Sequence, residues 1–360
     1  MQKLIFLGIL LLIFSCEKKG GNENSSLTFV KSDTTFLPIG NVLYQNAKFQ
    51  VLDDNKIIFI QQGRKLFWVN MATGIIQNQI DLDTTSLVLP EVSLVNVFYD
   101  LSDESTHLFF PQKSKILVLD SEFSQVDEVD LTGLDGIEHQ FLPFGQAFYF
   151  LPTNNSYYIG ILSKKWQYNY PEFVKESSFI GVFDRGSGGL ENSFGEFSDD
   201  RKQNPIKALS EGIFHVDFDG KMFFIRDAVG SPQISTFDQN GALVRKDYLG
   251  SSEINYELVP NESDEISSGS RSDNHFALKS INEKVFVSNA IKLRDESKNI
   301  FEDRGFLFIE DFQNKINHSR SIDPFHRIIG ANESSIWLVR NHPLNEELIL
   351  IRLEYDISKQ

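Results

Sequence analysis

Four basic side chains recur at one place in the sequence pattern. Arg64, Lys113, Arg226 and Arg340 each come just after an apolar run: Lys56-Ile-Ile-Phe-Ile60, Thr106-His-Leu-Phe-Phe110, Lys221-Met-Phe-Phe-Ile225 and Ser335-Ile-Trp-Leu-Val339. A guanidinium fork grips a carboxylate or phosphate through two parallel hydrogen bonds, and an ammonium does so as a point charge. The recurrence therefore suggests a ring of cations that takes an anionic or polyhydroxylated small ligand, or an acidic peptide. The competing expectation is that these cations are solvated or paired with local acids such as Asp227. His342 lies two residues past Arg340 and falls in the same loop. Trp166, Tyr168 and Tyr170 alternate along another segment. Such rings can stack on sugars or on a partner, and the alternation also fits the buried face of an extra strand.

Other chemistry is not spelled out. The seven His residues form no HxH or HExxH pair, so spacing supports no metal site. No GxSxG elbow and no P-loop occurs, and no cofactor is implied. Arg185-Gly-Ser-Gly-Gly189 and Asp217-Phe-Asp-Gly220 read as tight turns rather than as a phosphate cradle or a calcium loop. Fifty acidic residues against 34 basic ones give a net charge of −16, which argues against a nucleic-acid partner. With 41% hydrophobic residues and 32 Phe, the chain has what a large core needs.

Cys16 is the one cysteine, which excludes a disulfide framework. It follows Lys3 and an apolar run from Leu4 to Phe14 that only Gly8 interrupts. The run falls short of the roughly 20 residues a membrane-spanning helix needs and suits a signal-peptide core. Ile13-Phe14-Ser15-Cys16 resembles a bacterial lipobox. That resemblance implies cleavage before Cys16, a diacylglycerol thioether on its sulfur, and a membrane partner. The expected organisation is a signal peptide over residues 1–15, a polar tether over 16–26 and a folded body over 27–360. A flexible tether of that length reaches about 17–19 Å. Glu17, rather than Asp, follows the cysteine. By the same resemblance this favours the outer membrane of a Gram-negative cell, in a leaflet the sequence does not specify.

The body must position the cations, and it reads as repeated strands. Short runs rich in Phe, Val, Ile and Tyr alternate with Asp, Asn, Gly and Ser, the signature of strands and turns. The order recurs six times: apolar strand, tight turn, apolar strand, loop, third strand ending in Asp or Asn, turn, more polar fourth strand. Six four-stranded units in tandem predict an all-β, six-bladed β-propeller. The sixth unit lacks a fourth strand, whereas residues 27–36 have strand composition and belong to no unit. They are expected to pair with the last blade and close the ring, which leaves no sheet edge open there. The alternatives are a propeller of five or seven blades, a β-sandwich, or two small β-domains.

The connections fall into two sets. Those within strand pairs one–two and three–four are short, such as 53–55, 121–124, 219–220 and 239–241. Those between strands two and three, or between blades, hold the long segments 152–178, 198–211, 250–274, 289–305 and 341–347. Long loops in a compact domain are commonly functional, so their face is the candidate binding face.

The chain resembles the lipid-anchored six-bladed propellers (TolB-like and NHL-like) found in Bacteroidetes, many of them in families of unknown function. The resemblance rests on the Cys16 lipobox, the third strands ending in Asp120, Asp184 and Asp238, Phe183-Asp-Arg-Gly186 with Phe194-Gly195, and Tyr168-Asn-Tyr-Pro-Glu172. It is diffuse and carries no catalytic signature. The expected function is a membrane-anchored binding or scaffold module of the cell envelope. The alternatives are an envelope hydrolase or lyase acting on a saccharide or peptide at the channel mouth, or a subunit supporting an envelope-protein assembly by its rim.

Overall fold

The computed structural model describes residues 26–358 except 38, 40–46, 53–56, 63, 86–95, 135–138, 142–146, 164, 166–169, 204–213, 228–230, 252, 255–273, 293–303 and 342–346. Strand β1 is Ser26–Leu37. Blade 1 follows with β2 (Ala47–Leu52), β3 (Ile57–Gln62), β4 (Lys65–Asn70) and β5 (Ile76–Asp81), and blade 2 with β6 (Asn96–Asp100), β7 (Ser105–Phe110), β8 (Lys115–Leu119) and β9 (Gln125–Asp130). Blade 3 has β10 (His139–Phe141) and β11 (Phe148–Leu151), both paired with β12 (Ser156–Ser163), then helix α1 (Tyr170–Glu176), β13 (Ile180–Asp184) and β14 (Leu190–Phe194). Helix α2 (Asp199–Gln203) leads to blade 4: β15 (Phe214–Phe218), β16 (Met222–Asp227), β17 (Gln233–Asp238) and β18 (Leu243–Tyr248). Blade 5 is β19 (Asn274–Ser280), β20 (Val285–Lys292), β21 (Arg304–Asp311) and β22 (Ile316–Ile322); blade 6 is β23 (Arg327–Ala331), β24 (Ser335–Asn341) and β25 (Leu348–Ser358).

The expected six-bladed ring and its closure are both present. Strand β1 pairs antiparallel with β25, from Ser26 opposite Ser358 to Leu37 opposite Leu348. The innermost strands stand side by side, with β2 beside β6, β6 beside β11, β15 beside β19, β19 beside β23, and β23 beside β2.

Strand periodicity fills the gaps between blades. Successive side chains point to opposite faces of a sheet, and here both faces are covered. On β3, Phe59 enters the gap with blade 2 and Ile60 the gap with blade 6. Second and third strands are therefore buried along most of their length, β7 and β12 at every position, as strands covered on both faces are. Aromatic pairs bridge the gaps: Phe179 stacks on Phe214 at 4.2 Å and Tyr158 on Phe223 at 4.7 Å. The outer strands β5, β9 and β14 are mostly solvated, which accounts for their polar composition.

The recurrent Asp and Asn at strand ends shape the turns. A short polar side chain can bond the backbone two residues on and so hold a turn. The Oδ1 atoms of Asn70, Asp120, Asp184, Asp238 and Asp311 each accept from one or two backbone N–H groups after a third strand. Asp100, Asp219, Asn282 and Asn332 do the same between first and second strands. Gly188 closes the Arg185–Gly189 turn by donating its N–H to Asp184 O at 2.8 Å, so this glycine-rich stretch is a strand connection.

Blade 3 corrects the strand assignment. Residues 152–178 read as one long loop, yet Ser156–Ser163 within them is the second strand, buried along its whole length. Its sequence SYYIGILS does not alternate because neither face meets water. The run ending at Leu151 is instead part of the inner strand. The aromatic alternation also ends differently from the expected extra strand, since Tyr170 opens α1, with Pro171 in its first turn, where a missing N–H costs nothing.

Candidate functional site

The basic residues picked out by sequence occupy four blades. Arg64 sits between β3 and β4, and its Nε lies 2.6 Å from Asp83 Oδ1. Lys113 is exposed in the 3-10 turn Pro111–Lys113. The second strands of blades 4 and 6 run further than their apolar cores, so Arg226 and Arg340 belong to β16 and β24 rather than to the loops after them. Arg340 Nη1 donates to Asp323 Oδ2 at 2.7 Å. Arg226 is fully buried and faces blade 5, where Nη1 and Nη2 donate to Glu310 Oε2 and Oε1 at 2.7 and 2.8 Å; Nη1 also donates to Ser288 Oγ. Asp227, one residue on, points the opposite way, toward Arg201 at 3.6 Å. These guanidinium groups serve the ring's own carboxylates. Cys16, Trp166, Tyr168 and His342 lie outside the described residues.

What converges instead is a set of side chains on the innermost strands. Neighbouring inner strands belong to different sheets and share no ladder, so side chains bridge them. Gln50 on β2 donates Nε2 to Tyr99 O on β6 at 2.7 Å and accepts from Tyr99 N–H at 3.1 Å. Asp217 on β15 accepts from Lys279 Nζ at 2.8 Å and from the backbone N–H and hydroxyl of Ser280 at 2.7 Å, all on β19. From the second strand β20, Asn289 Nδ2 donates to His326 O, just before β23, at 3.0 Å, and Arg327 Nη1 on β23 donates to Ala47 O on β2 at 3.4 Å.

Lys48 reaches furthest. From β2 its ammonium passes blade 2 and donates to Phe148 O on β11 at 2.9 Å. Phe98, Phe148 and Tyr149 surround it, with ring centroids 6.0, 5.4 and 5.7 Å from Nζ. Ring faces carry partial negative charge and attract a cation. The surrounding protein nevertheless strips much of the water from the ammonium, and this desolvation, reinforced by the like charge of Lys279, lowers the Lys48 pKa to about 7. Burial, with Asp217 adding to it, pushes the neighbouring Tyr149 phenol above its ordinary range. Both side chains keep some solvent exposure, as groups lining a narrow channel do. Sequence reasoning passed over Lys48. A lysine opening an apolar strand reads as a solvated end, and no local signal marks it.

A second polar cluster lies inside the gap between blades 2 and 3. His107 is fully buried, with Ser105 Oγ 2.9 Å from Nε2 and Tyr157 Oη 3.0 Å from Nδ1. Phe150 stacks on its ring at 4.7 Å. Burial, and secondarily the charge of Arg185, lowers its pKa to about 4. The ring is neutral at pH 7 and bridges two hydroxyls inside the core.

No family model matches the chain, and no curated protein matches it. Solved structures do. A member of the DUF4221 family from Bacteroides vulgatus superposes with a TM-score of 0.60 at 10% identity, over 93% of this chain and 99% of that one. A Bacteroides fragilis protein, provisionally classed as exported, superposes with a TM-score of 0.50 at 12% identity, over 90% of this chain and 95% of that one. At these identities the likeness is one of fold: the chain is a six-bladed β-propeller similar to uncharacterised propellers of Bacteroides.

Proposed function

We propose that the protein is a lipid-anchored binding module of the cell envelope, held by a lipid on Cys16 and presenting one elaborated face of its ring to a small ligand or an envelope protein. The observation that carries this reading is the asymmetry of the connections. Residues 82–95, 164–179, 195–213, 249–273 and 293–303, with α1 and α2 among them, all join second to third strands or one blade to the next. Among the described residues the opposite face carries short turns, most of them held by Asp and Asn. Long connections on a rigid scaffold are where binding groups are usually displayed. The Cys16 motif supports the anchor. The provisional export of the Bacteroides fragilis neighbour agrees with an envelope address.

Membrane fractionation tests the anchor. The full chain should enter the detergent phase and take up labelled fatty acid, and Cys16→Ala should do neither. Crosslinking and capture with the full chain in intact cells of its source organism test the binding role. A reproducible partner that is lost when residues 255–273 are replaced by a short linker supports it. Turnover of an envelope substrate with no stable partner would overturn it.

A further inference from the structure

We infer that Lys48 is the anchoring point for the carboxylate of a small monocarboxylic ligand with an apolar or aromatic body, bound in the central channel of the ring. This deepens the binding reading above by naming a ligand class and a place.

The argument begins with charge. An ammonium has three N–H donors, and the hydrogen bond that the structure gives Lys48 goes to one backbone carbonyl, Phe148 O. No carboxylate among the described residues pairs with it. The charged groups around it are accounted for. Lys279 is held by Asp217 at 2.8 Å, so the channel's acid is already committed. Arg327, on β23, is turned toward the Ala47 carbonyl. The phenol of Tyr149, on β11, stays protonated, as burial keeps it so. On β6 and on β2 itself, Tyr99 and Gln50 bridge to each other through amide groups. Among the described residues one positive charge is left without a counter-charge, and it calls for one negative charge.

The walls set the rest of the ligand. Phe98, Phe148 and Tyr149 are what an apolar or planar body packs against once the carboxylate sits on Nζ. Solvent reaches the side chain, so the position is open to a solute from the channel. A part-buried lysine commonly carries its own acid, as Lys279 does. Among the described residues Lys48 has no such acid, and its hydrogen bond goes to a carbonyl and its cation–π contacts to rings, none of which carries a full negative charge. An anion would supply the missing charge and raise the lowered pKa of Lys48, so binding takes up a proton near neutrality.

Isothermal titration of the full, detergent-solubilised chain with benzoate tests the inference, with chloride at equal ionic strength as the control. Saturable benzoate binding is expected, about tenfold weaker at pH 8 than at pH 6. Lys48→Met should weaken it at least tenfold. Lys48→Arg, which stays charged throughout, should keep binding and lose the pH dependence. The Arg variant keeps the test decisive if the Met variant does not fold. No saturable binding, equal affinity at pH 6 and pH 8, equal affinity of wild type and Lys48→Met, or a wild-type pH slope in Lys48→Arg would each overturn it. The titration involves no membrane and no protein partner, so its failure and the failure of the capture experiment are separate results.

Discussion

Arg226 of blade 4 and Glu310 of blade 5 meet through two parallel hydrogen bonds of 2.7 and 2.8 Å in a gap that excludes water from both. Ser288 bonds to each of them, at 3.0 Å to the guanidinium and 2.8 Å to Glu310 Oε2. This gap has a small apolar cluster, built around Phe224, Ile234, Leu278, Phe286 and Phe312, so a polar network takes up part of the contact that Phe and Leu make elsewhere. Removing one partner of such a pair strands the other charge in the core. Glu310→Ala should cost about 3–5 kcal/mol of stability, read from urea unfolding. Replacing both residues with apolar ones of similar size should recover most of that loss, and failure to recover it would show that the pair does more than compensate its own burial.

The buried His107 makes stability depend on pH. Its folded pKa, about 4, lies below the ordinary value of 6.5, so between these limits the unfolded chain binds a proton that the native one does not. Its contribution is therefore complete above about pH 6.5 and is lost progressively as pH falls toward 4. Buried His318 and partly buried His326, also lowered by burial, act in the same direction. His107→Phe should flatten the thermal-melting profile between pH 4 and 6.5. An unchanged slope would assign that pH dependence to the other two.

Two glycines with positive φ separate conformational strain from crowding. A Cβ on Gly188 (φ +67°) would lie 2.0 Å from Asp130 O in the neighbouring blade, whereas one on Gly220 (φ +95°) meets nothing within 4 Å. Gly220→Ala should cost about 1–2 kcal/mol for the left-handed backbone alone. Gly188→Ala adds overpacking of about 1–3 kcal/mol and breaks the contact in which Thr132 N–H donates to Gly188 O. Denaturant midpoints of the two variants should differ in that order.

Closure of the ring rests on β1. Leu37, at its end, is fully buried among Ile60, Trp337 and Leu348 in the gap between blades 6 and 1. Leu37→Ala should destabilise the protein by about 2–5 kcal/mol. Deleting Ser26–Leu37 exposes the edge of β25, and size-exclusion chromatography should then show association through that edge.

The repeat, the blade number, the closing strand and the Asp or Asn that ends most third strands were legible in the order of residues. Each is a local property: the two-residue period of a strand, its burial on one or both faces, and a side chain that bonds its own turn. Legibility failed where the local signal was ambiguous. Ser156–Ser163, buried on both faces, shows no alternation. Arg226 stands at the end of an apolar run, as a solvated cation would.

The architecture was readable from residue order because strand periodicity and turn chemistry act over a few residues. Which side chains meet depends on how the blades are assembled. Arg226 and Glu310 are 84 residues apart, and Lys48 and Phe148 are 100 apart. Their meeting depends on the order of blades around the axis and on the register within each sheet. A one-residue slip would turn Arg226 from Glu310 toward the gap that Asp227 faces. Closing the ring brings the inner strands together around Lys48, and that convergence of distant segments gives one lysine a setting that no stretch of sequence near it describes.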